Sequence, residues 1–139
     1  MDRSLSQPLF VYGTLMDGDM RRAVLGRETA LFRAEAPGFR TVFFPGRVYP
    51  ALIATEGASA VGFLLDGLTS GDFDALDRYE EDEYERRPIE VLEGTHRLLA
   101  QTYWPLASIP ADSLPWMLED WQRNHKVRAL VEAFEVHSR

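Results

Sequence analysis

The alternation of apolar and polar positions along the chain predicts more strands than helices. Apolar, β-branched and aromatic runs bounded by glycine, proline or acidic residues are typical of strands that pack into a core. Runs of this kind occupy residues 9–12, 29–36, 39–44, 47–53, 60–65, 84–92 and 96–104. Because most of these runs follow one another directly, we expect an α+β fold built on a sheet or a small barrel.

Turn residues indicate where these strands should end. Pro37-Gly38 and Glu56-Gly57 each interrupt a strand pattern with a glycine, so we expect them to separate neighbouring strands. Glu93-Gly94-Thr95 lies between two strand runs and predicts a hairpin turn. Pro105 and Pro110 follow the last run, where they are expected to end the sheet.

Three segments show helical signals instead. Residues 17–26 begin with acidic residues and end at Gly26, as a short helix does. Thr69 and Asp72 match a capping box, and the apolar positions that follow predict a helix to residue 80 or 81. A helical tail is expected from about residue 113, with Pro115 in its first turn and an interrupted apolar stripe along its length.

Composition limits the class of protein. With 139 residues, 45% of them hydrophobic and 12% aromatic, the chain fits one globular domain over residues 1–139. No apolar run reaches the ~18 residues of a membrane span, the first seven residues hold no apolar signal core, and cysteine is absent. A net charge of −7 opposes binding to nucleic acid. We therefore expect a cytoplasmic protein with a small molecule or another protein as partner, without nucleic acid or membrane and with no pattern that sets its oligomeric state.

The stretch from residue 9 to residue 15 combines a strand pattern with an abrupt turn. Its first half, which includes Val11 and Tyr12, is apolar and aromatic, and its second half breaks at Gly13 and Thr14 before Leu15. A backbone that stops pairing at such a turn presents free N–H groups, and glycine lets another molecule approach the main chain. These residues are therefore a candidate cradle for an anion or a carbonyl group. The alternative is a strand that ends in an ordinary tight turn.

Glu80 is the main candidate for chemistry. On a helical wheel, Phe73, Leu76 and Glu80 share one face, so a carboxyl group ends an apolar stripe at the helix C-terminus. Desolvation and the negative end of the helix dipole both disfavour the ionised form and raise the pKa. A glutamate with a raised pKa suits general acid–base catalysis. The alternative is an ion pair between Glu80 and Arg86 or Arg87.

Other polar residues are further candidates. Asp77 lies nearer the buried face of the same helix and is a possible second carboxylate. Tyr84 and Tyr103 are either hydroxyl groups of a pocket or aromatic residues of the core. Arg40 and Arg47 either meet a substrate carboxylate or lie at the surface. The three histidines show no spacing typical of a metal site or of a serine–histidine pair, so we expect no metal.

Several stretches, taken in their order, carry a family resemblance. Residues 10–15 read Phe-Val-Tyr-Gly-Thr-Leu, and residues 76–87 read Leu-Asp-Arg-Tyr-Glu and then, after three acidic residues, Tyr-Glu-Arg-Arg. Further matches are the Tyr-Pro-Ala-Leu at 49–52, the Ala-Gln-Thr-Tyr at 100–103 and the tryptophans of the tail. In this combination the chain resembles the γ-glutamylcyclotransferase-like superfamily, in its AIG2-like branch.

The resemblance implies a small mixed or antiparallel β-barrel flanked by helices and an intramolecular aminolysis. In that reaction the α-amine of a γ-glutamyl amine or dipeptide attacks its own γ-carbonyl and releases 5-oxoproline. The acid–base glutamate of the family falls on Glu80, and the backbone N–H groups of Gly13, Thr14 and Leu15 would hold the glutamyl end and the developing oxyanion. Ring closure of this kind requires no cofactor or metal. The substrate site would further include Val11, Tyr12, Tyr84 and Tyr103.

One position departs from the pattern of the superfamily. Many relatives carry glycine directly after the catalytic glutamate, whereas this chain has Glu81. A second carboxylate at that position raises the pKa of Glu80 only if it points inward. The sequence therefore leaves open a ligand-binding or partner-binding module that keeps the fold without turnover. It also leaves open an acyltransferase or amidohydrolase that uses the same glutamate.

Overall fold

The structure is a computed structural model that describes residues 7–137. Its strands are β1 (Leu9–Val11), β2 (Ala30–Phe43), β3 (Pro50–Asp66), β4 (Tyr84–Glu93) and β5 (His96–Pro105). Its helices are α1 (Gly18–Leu25), α2 (Ser70–Glu80), α3 (Leu118–Asn124) and α4 (Lys126–His137), and a 3₁₀ turn (Thr14–Met16) joins β1 to α1. No helix within the described residues is both long enough and apolar enough to cross a membrane.

The strands close into a ring in the order β1-β3-β2-β4-β5. Neighbouring strands run antiparallel, except that β1 and β5 run parallel where Leu9 lies beside Gln101. A hydrogen bond of 2.9 Å from the Gln101 N–H to the Pro8 carbonyl secures this closure. Helices α1 and α2 pack their apolar residues against the ring. The expected α+β fold, with a ring of strands flanked by helices, is therefore confirmed.

Two predicted strand breaks are wrong, because the chain bends at these positions instead of leaving the sheet. Strand β2 continues through Pro37-Gly38, and β3 continues through Glu56-Gly57. The register jumps from the pair Pro37–Ser59 to the pair Phe39–Ala54, so that four residues of β3 bulge out opposite Gly38. Both glycines adopt positive φ, 87° at Gly38 and 82° at Gly57, which bends a strand without ending its pairing.

The predicted hairpin and the first two helices are confirmed. A two-residue turn, Gly94-Thr95, joins β4 to β5. Asp17 caps α1 through the Met20 N–H, and Gly26 ends the helix with φ of 74°. Thr69 and Asp72 form the reciprocal capping box of α2, as their spacing predicts. Local sequence signals therefore place the helix that carries Glu80.

The prediction for the tail is wrong in its first residues. Pro115 forms an isolated bridge with Val42 and does not start a helix. The backbone beside it pairs with the end of β2. The Phe43 N–H donates to the Leu114 carbonyl at 3.0 Å, and the Trp116 N–H donates to the Thr41 carbonyl at 3.2 Å. Helix α3 begins only at residue 118, and residue 125 separates it from α4.

Three apolar clusters fill the fold. The interior of the ring holds residues such as Phe10, Leu64 and Val91. A second cluster lies between the ring and helices α1 and α2, and a third joins α1 to α3 and α4. At Gly62 a Cβ atom would lie 2.2 Å from the Val11 carbonyl oxygen, so only glycine lets β1 lie this close to β3. This close approach sets the position of the turn that follows β1.

Candidate functional site

One cavity of about 320 Å³ lies where β1, the C-terminus of α2, the start of β4 and helix α4 meet. The residues that the sequence nominated for catalysis and substrate binding come from three distant parts of the chain. All of them line this cavity: Val11, Tyr12, Gly13, Thr14, Leu15, Glu80, Tyr84 and Tyr103. The fold therefore brings these eight residues together, whereas the further candidates Asp77, Arg40 and Arg47 do not line the cavity. The chemical roles of the eight residues remain predictions.

The turn that follows β1 lines this cavity with Gly13, Thr14 and Leu15. In the 3₁₀ turn the Met16 N–H donates to the Gly13 carbonyl at 2.9 Å. No backbone carbonyl among the described residues outside this turn accepts from the N–H groups of Gly13, Thr14 or Leu15. The guanidinium of Arg21 holds the turn from behind by donating to the carbonyls of residues 15 and 16, at 3.0 and 2.8 Å. These N–H groups therefore have no backbone acceptor among the described residues outside the turn, and the donor cradle stays a prediction.

Gly13 was expected to let another molecule approach the main chain, but the structure gives a different reason for a glycine at this position. A Cβ atom on Gly13 would lie 2.7 Å from the Cγ atom of Pro50. The space beside this glycine is therefore filled by a residue of the protein, at the start of β3. The absence of a side chain at Gly13 lets Pro50 pack against the turn, and both residues line the cavity.

Glu80 is the last residue of α2, and its side chain faces the cavity. One turn earlier Leu76 is fully buried, so the apolar stripe of the helix leads to the carboxyl group as expected. The expected alternative partners are occupied elsewhere: Arg86 pairs with Asp77 at 3.0 Å, and the neighbouring Arg87 pairs with Glu85 at 3.0 Å. The Glu80 carboxyl makes no hydrogen bond or ion pair with any described residue.

The surroundings of Glu80 favour its neutral form. Burial raises the pKa of Glu80 from its ordinary value of 4.5 to about 8, and the carboxylates of Asp77 and Glu83 add to the shift. Near neutral pH the group is therefore mostly protonated yet able to lose its proton. The neighbouring Glu81 is exposed where it lines the cavity, and its charge is not among the causes of the raised pKa of Glu80, so it does not act as the inward second carboxylate that the sequence left open.

The backbone of Glu81 adopts a conformation that glycine prefers. Its φ is 48° and its ψ is −129°, and no other non-glycine residue among those described has a positive φ. This part of conformational space is open to glycine and strained for other residues. The glycine that the resemblance implies at position 81 would fit here without strain, and the chain keeps that backbone turn despite the glutamate.

Hydroxyl groups surround the carboxyl group on several sides. Tyr84 and Tyr103, predicted as either pocket or core residues, are both: they are largely buried and line the cavity. Tyr49 and Tyr79 also line it, although the sequence did not nominate them for the site. Burial raises the pKa of all four phenols, to about 12 at Tyr49 and beyond the ordinary range elsewhere, and the charge of Glu80 adds to the shift at three of them.

Of the three arginines near this region, one lines the cavity. Arg40 donates to the carbonyls of residues 111 and 113, so it lies away from the cavity. Arg47 donates to Glu83 at 3.1 Å and to the hydroxyl of Tyr49 at 2.9 Å. Neither arginine lines the cavity, whereas Arg78 does. Helix α4 contributes Ala129, Glu132 and Ala133, which the sequence did not nominate because two alanines and a glutamate in a helical tail form no motif.

The described residues contain no group of three histidine, cysteine, aspartate or glutamate side chains that could hold a metal ion. The chemistry that the site can perform with its own groups is proton transfer by a neutral-leaning carboxyl group. It also offers main-chain hydrogen bonds to a polarised oxygen. A small cavity with a few convergent polar groups, among them a carboxyl group with a strongly raised pKa, has the features of a small-molecule site.

Comparison with known proteins agrees with this geometry. The family model described as "Gamma-glutamyl cyclotransferase, AIG2-like" matches residues 9–123. The chain belongs to this family. It is 33% identical to AIG2-like protein B of Arabidopsis thaliana over 129 residues, which cover 91% of this chain and 74% of that protein.

Solved structures show the same fold. A solution structure of an Arabidopsis thaliana protein, 29% identical, superposes with a TM-score of 0.69 and covers 91% of this chain and 87% of that one. A structure named gamma-glutamyl cyclotransferase superposes with a TM-score of 0.61 over 71% of this chain and 66% of that one. At 14% identity, the second similarity concerns the fold alone.

Proposed function

We propose that this protein is an enzyme of the γ-glutamylcyclotransferase type that releases 5-oxoproline from a γ-glutamyl amine or dipeptide. The observation that carries the proposal is the carboxyl group of Glu80, which is unpaired among the described residues and faces a cavity beside the N–H groups of the turn after β1. A carboxyl group that served only the fold would be paired or exposed. Membership of the family supports the proposal.

In the proposed reaction the Glu80 carboxylate takes a proton from the substrate's α-ammonium group. The freed nitrogen attacks the γ-carbonyl carbon, and a carbon–nitrogen bond forms while the carbonyl oxygen gains negative charge. The oxyanion then re-forms the carbonyl and the bond to the carried amine breaks, as Glu80 returns this proton to the leaving nitrogen. The ring nitrogen, which still carries two hydrogens, gives its second proton to Glu80, and Glu80 passes it to the released amine. In total, two protons pass from the attacking nitrogen to the leaving nitrogen by way of Glu80, which ends in the state in which it began.

The rest of the cavity would hold the substrate in a reactive shape. The N–H groups of Gly13, Thr14 and Leu15 are the donors available to the oxygen that becomes negative, and such donors are most effective away from water. A cavity of about 320 Å³ leaves room for a small ligand folded back on itself. Because attack within one molecule gains its speed from orientation, the fit of the cavity matters as much as the proton transfer.

Product analysis tests the proposal. We would incubate the purified protein with a panel of γ-glutamyl amino acids and amines and detect 5-oxoproline by mass spectrometry, with Glu80→Gln as the matched variant. Product from the wild type alone is the expected result. Product from both proteins would keep the reaction and remove Glu80 from it. Release of free glutamate would instead indicate an amidohydrolase.

One observation favours a second function, a ligand-binding module on the same fold. The backbone at Glu81 keeps a turn that suits glycine, but the residue itself departs from the glycine that the resemblance implies directly after the catalytic glutamate. A module of this kind would bind γ-glutamyl compounds without consuming them. Saturable binding together with no product from any substrate, measured on folded protein, would establish it and refute the enzyme.

A further inference from the structure

The cavity opens to solvent between the end of α2 and helix α4. Most of the residues that line it are buried or half-buried. Among the described lining residues three are exposed: Arg78 on α2, Glu81 just beyond its last turn, and Glu132 on α4. These three residues define the mouth of the cavity, and a ligand that reaches out of the cavity has to pass between them.

Hydrogen bonds and packing close the other sides. Beside β3 the hydroxyl of Tyr49 donates to Glu83, and Arg47 donates to the same carboxylate at 3.1 Å. This bridge joins the segment before β3 to the loop after α2. At the inner end the lining residues come from strands of the ring and from the residue after β1, and they are buried: Phe10, Tyr12, Thr102 and Tyr103. A ligand therefore enters and leaves through the mouth.

The two parts of the proposed substrate face opposite ends of the cavity. Its reacting carbon has to lie between Glu80 and the turn after β1, where proton transfer and ring closure take place. The glutamyl part lies on the inner side of that carbon, because it has to fold back into a five-membered ring. The carried group is bonded to the same carbon on its other side, so it extends toward the mouth and past α4.

Helix α4 gives this side of the cavity an apolar wall. Ala129 and Ala133 lie one turn apart on the helix and line the cavity together with Tyr79. Ala129 is half-buried and Ala133 is buried. Alanine adds no polar side-chain atom and little bulk, so this wall leaves room for aliphatic carbon atoms of a ligand. Contact with such a wall is favourable because it removes apolar surface from water.

Two contacts hold this wall in place. The ammonium of Lys126, in the first turn of α4, lies 2.8 Å from the carboxylate of Asp17 and 2.8 Å from that of Asp19. Ala133 packs with Met20 of α1 in the third apolar cluster. Helix α4 begins beyond residues 9–123, which the family model matches. Its part in the cavity is therefore an addition to the pattern on which the family resemblance rests.

We propose that α4 forms the subsite for the carried group and that Ala129 sets how large an apolar group this subsite accepts. The inference rests on the proposed function, because it names the surroundings of the leaving group. The class of substrate that fits is a γ-glutamyl compound whose carried group is a short aliphatic chain. Ala129 is the wall residue nearer the solvent, so its side chain limits the carried group without belonging to the core.

A series of uncharged probes tests the subsite. γ-L-Glutamyl methylamide, ethylamide and n-propylamide differ only in the methylene groups of the carried group, so the charges at the mouth act alike on all three. Affinities would be measured by NMR titration of the full chain carrying Glu80→Gln, so that binding is observed without the proposed proton transfer. Release of 5-oxoproline would be measured with the wild type. From methylamide to propylamide the affinity should rise about tenfold, as expected when two methylene groups leave water.

Variants of α4 in the same background locate the contact. Ala129→Leu fills the space beside the carried group and should reduce the rise in affinity to about twofold or less. Ala129→Met fills the same space with a flexible side chain and should act in the same direction, so the test does not depend on one variant that folds. Val127→Leu is the matched control, because Val127 is 77% exposed and does not line the cavity. It should keep the tenfold rise.

Several outcomes would overturn the inference. If no probe binds, or if all three bind equally, the carried group meets no apolar wall, even where the wild type releases 5-oxoproline. An undiminished rise in both Ala129 variants would remove the role of Ala129, and an equal loss in Val127→Leu would assign the effect to the helix as a whole. If the expected pattern appears but no γ-glutamyl compound yields 5-oxoproline, the proposed reaction fails while the subsite stands.

Discussion

Asp17 and Glu80 are both carboxylates at helix ends, the first buried and the second half-buried, yet their surroundings have little in common. Asp17, 3% exposed, accepts from the Met20 N–H at 3.0 Å, from Gln122 at 2.8 Å and from the ammonium of Lys126 at 2.8 Å. Glu80 accepts from no described residue and faces the cavity. The same chemical group is thus fully partnered in one corner of the fold and left without partners in another.

Their pKa values move in opposite directions because hydrogen bonds oppose the effect of burial at Asp17 and not at Glu80. Burial alone would raise the pKa of Asp17, but the bonds from Lys126, Gln122 and Met20 bring it below its ordinary value. No such bonds oppose burial at Glu80, whose pKa rises to about 8. A carboxylate with partners joins elements of the fold, here α1 to α3 and α4, whereas one without partners is free to exchange a proton.

The largest difference between the two groups should appear in catalysis. Glu80→Gln removes the proton-transfer group and should lower the rate of 5-oxoproline formation about 10²- to 10⁴-fold. Asp17→Asn should keep the rate per folded molecule, since Asp17 does not line the cavity. Initial rates from mass spectrometry, normalised to the folded fraction from circular dichroism, measure both. Equal losses in the two variants would mean that Glu80 supports only the fold.

The pH dependence of stability should separate the same pair by several kcal/mol. The folded state binds the Glu80 proton more tightly than the unfolded chain does, so this group adds stability that is fully present below pH 4.5 and lost as the pH rises to about 8. Glu80→Gln lacks this loss. Between pH 4 and pH 9, the free energy of unfolding of the wild type should therefore fall by about 2 to 4 kcal/mol more than that of the variant. Urea unfolding at both pH values measures it. Parallel stability curves for the two proteins would contradict the raised pKa.

Asp17 should show the opposite behaviour on a somewhat smaller scale. Asp17→Asn weakens the pair with Lys126 inside the fold and should cost about 1 to 3 kcal/mol at pH 7. Because the pKa of Asp17 is lowered on folding, its contribution is present above its ordinary pKa of 3.8 and lost as the pH falls through the folded value. Urea unfolding at pH 7 and pH 3 measures the change.

Asp19 supplies the matched control for that experiment. It also lies 2.8 Å from the ammonium of Lys126, but its side chain is 48% exposed, so Asp19→Asn should change the stability little. A cost of Asp19→Asn as large as that of Asp17→Asn would show that burial of the carboxylate does not decide its contribution.

Sequence patterns could predict the position of Glu80 because all of the information is local. The capping box at Thr69 and the spacing of Phe73, Leu76 and Glu80 fix which face of α2 is buried. The turn after β1 is equally local, since a strand pattern ends there at a glycine. The eight nominated residues, which line one cavity, could be predicted together because these two segments have short-range signals and the family resemblance adds Tyr84 and Tyr103.

The remaining parts of the site depend on contacts between distant residues. No pattern near Gly13 reveals that Pro50 fills the space beside it. The proton of Tyr103 goes to Asp77, 26 positions earlier, and its direction follows only from the packing of α2 on β5. In the same way, the bulge opposite Gly38 arises from the pairing of two long strands, although each strand alone suggests a break.

The residue after Glu80 offers the smallest and most local test of how the two carboxylates differ. Asp17 sits at a helix start in ordinary extended backbone, with φ of −82°, whereas the backbone just beyond Glu80 has φ of 48° at Glu81. Strain of this kind costs about 1 to 3 kcal/mol, and the greater freedom of glycine in the unfolded chain offsets part of the relief. Glu81→Gly should therefore stabilise the protein by about 0.5 to 1 kcal/mol in urea unfolding at pH 7. Glu81→Ala removes the same charge but keeps the Cβ atom, so an equal gain in that variant would assign the effect to charge and leave the backbone turn unstrained.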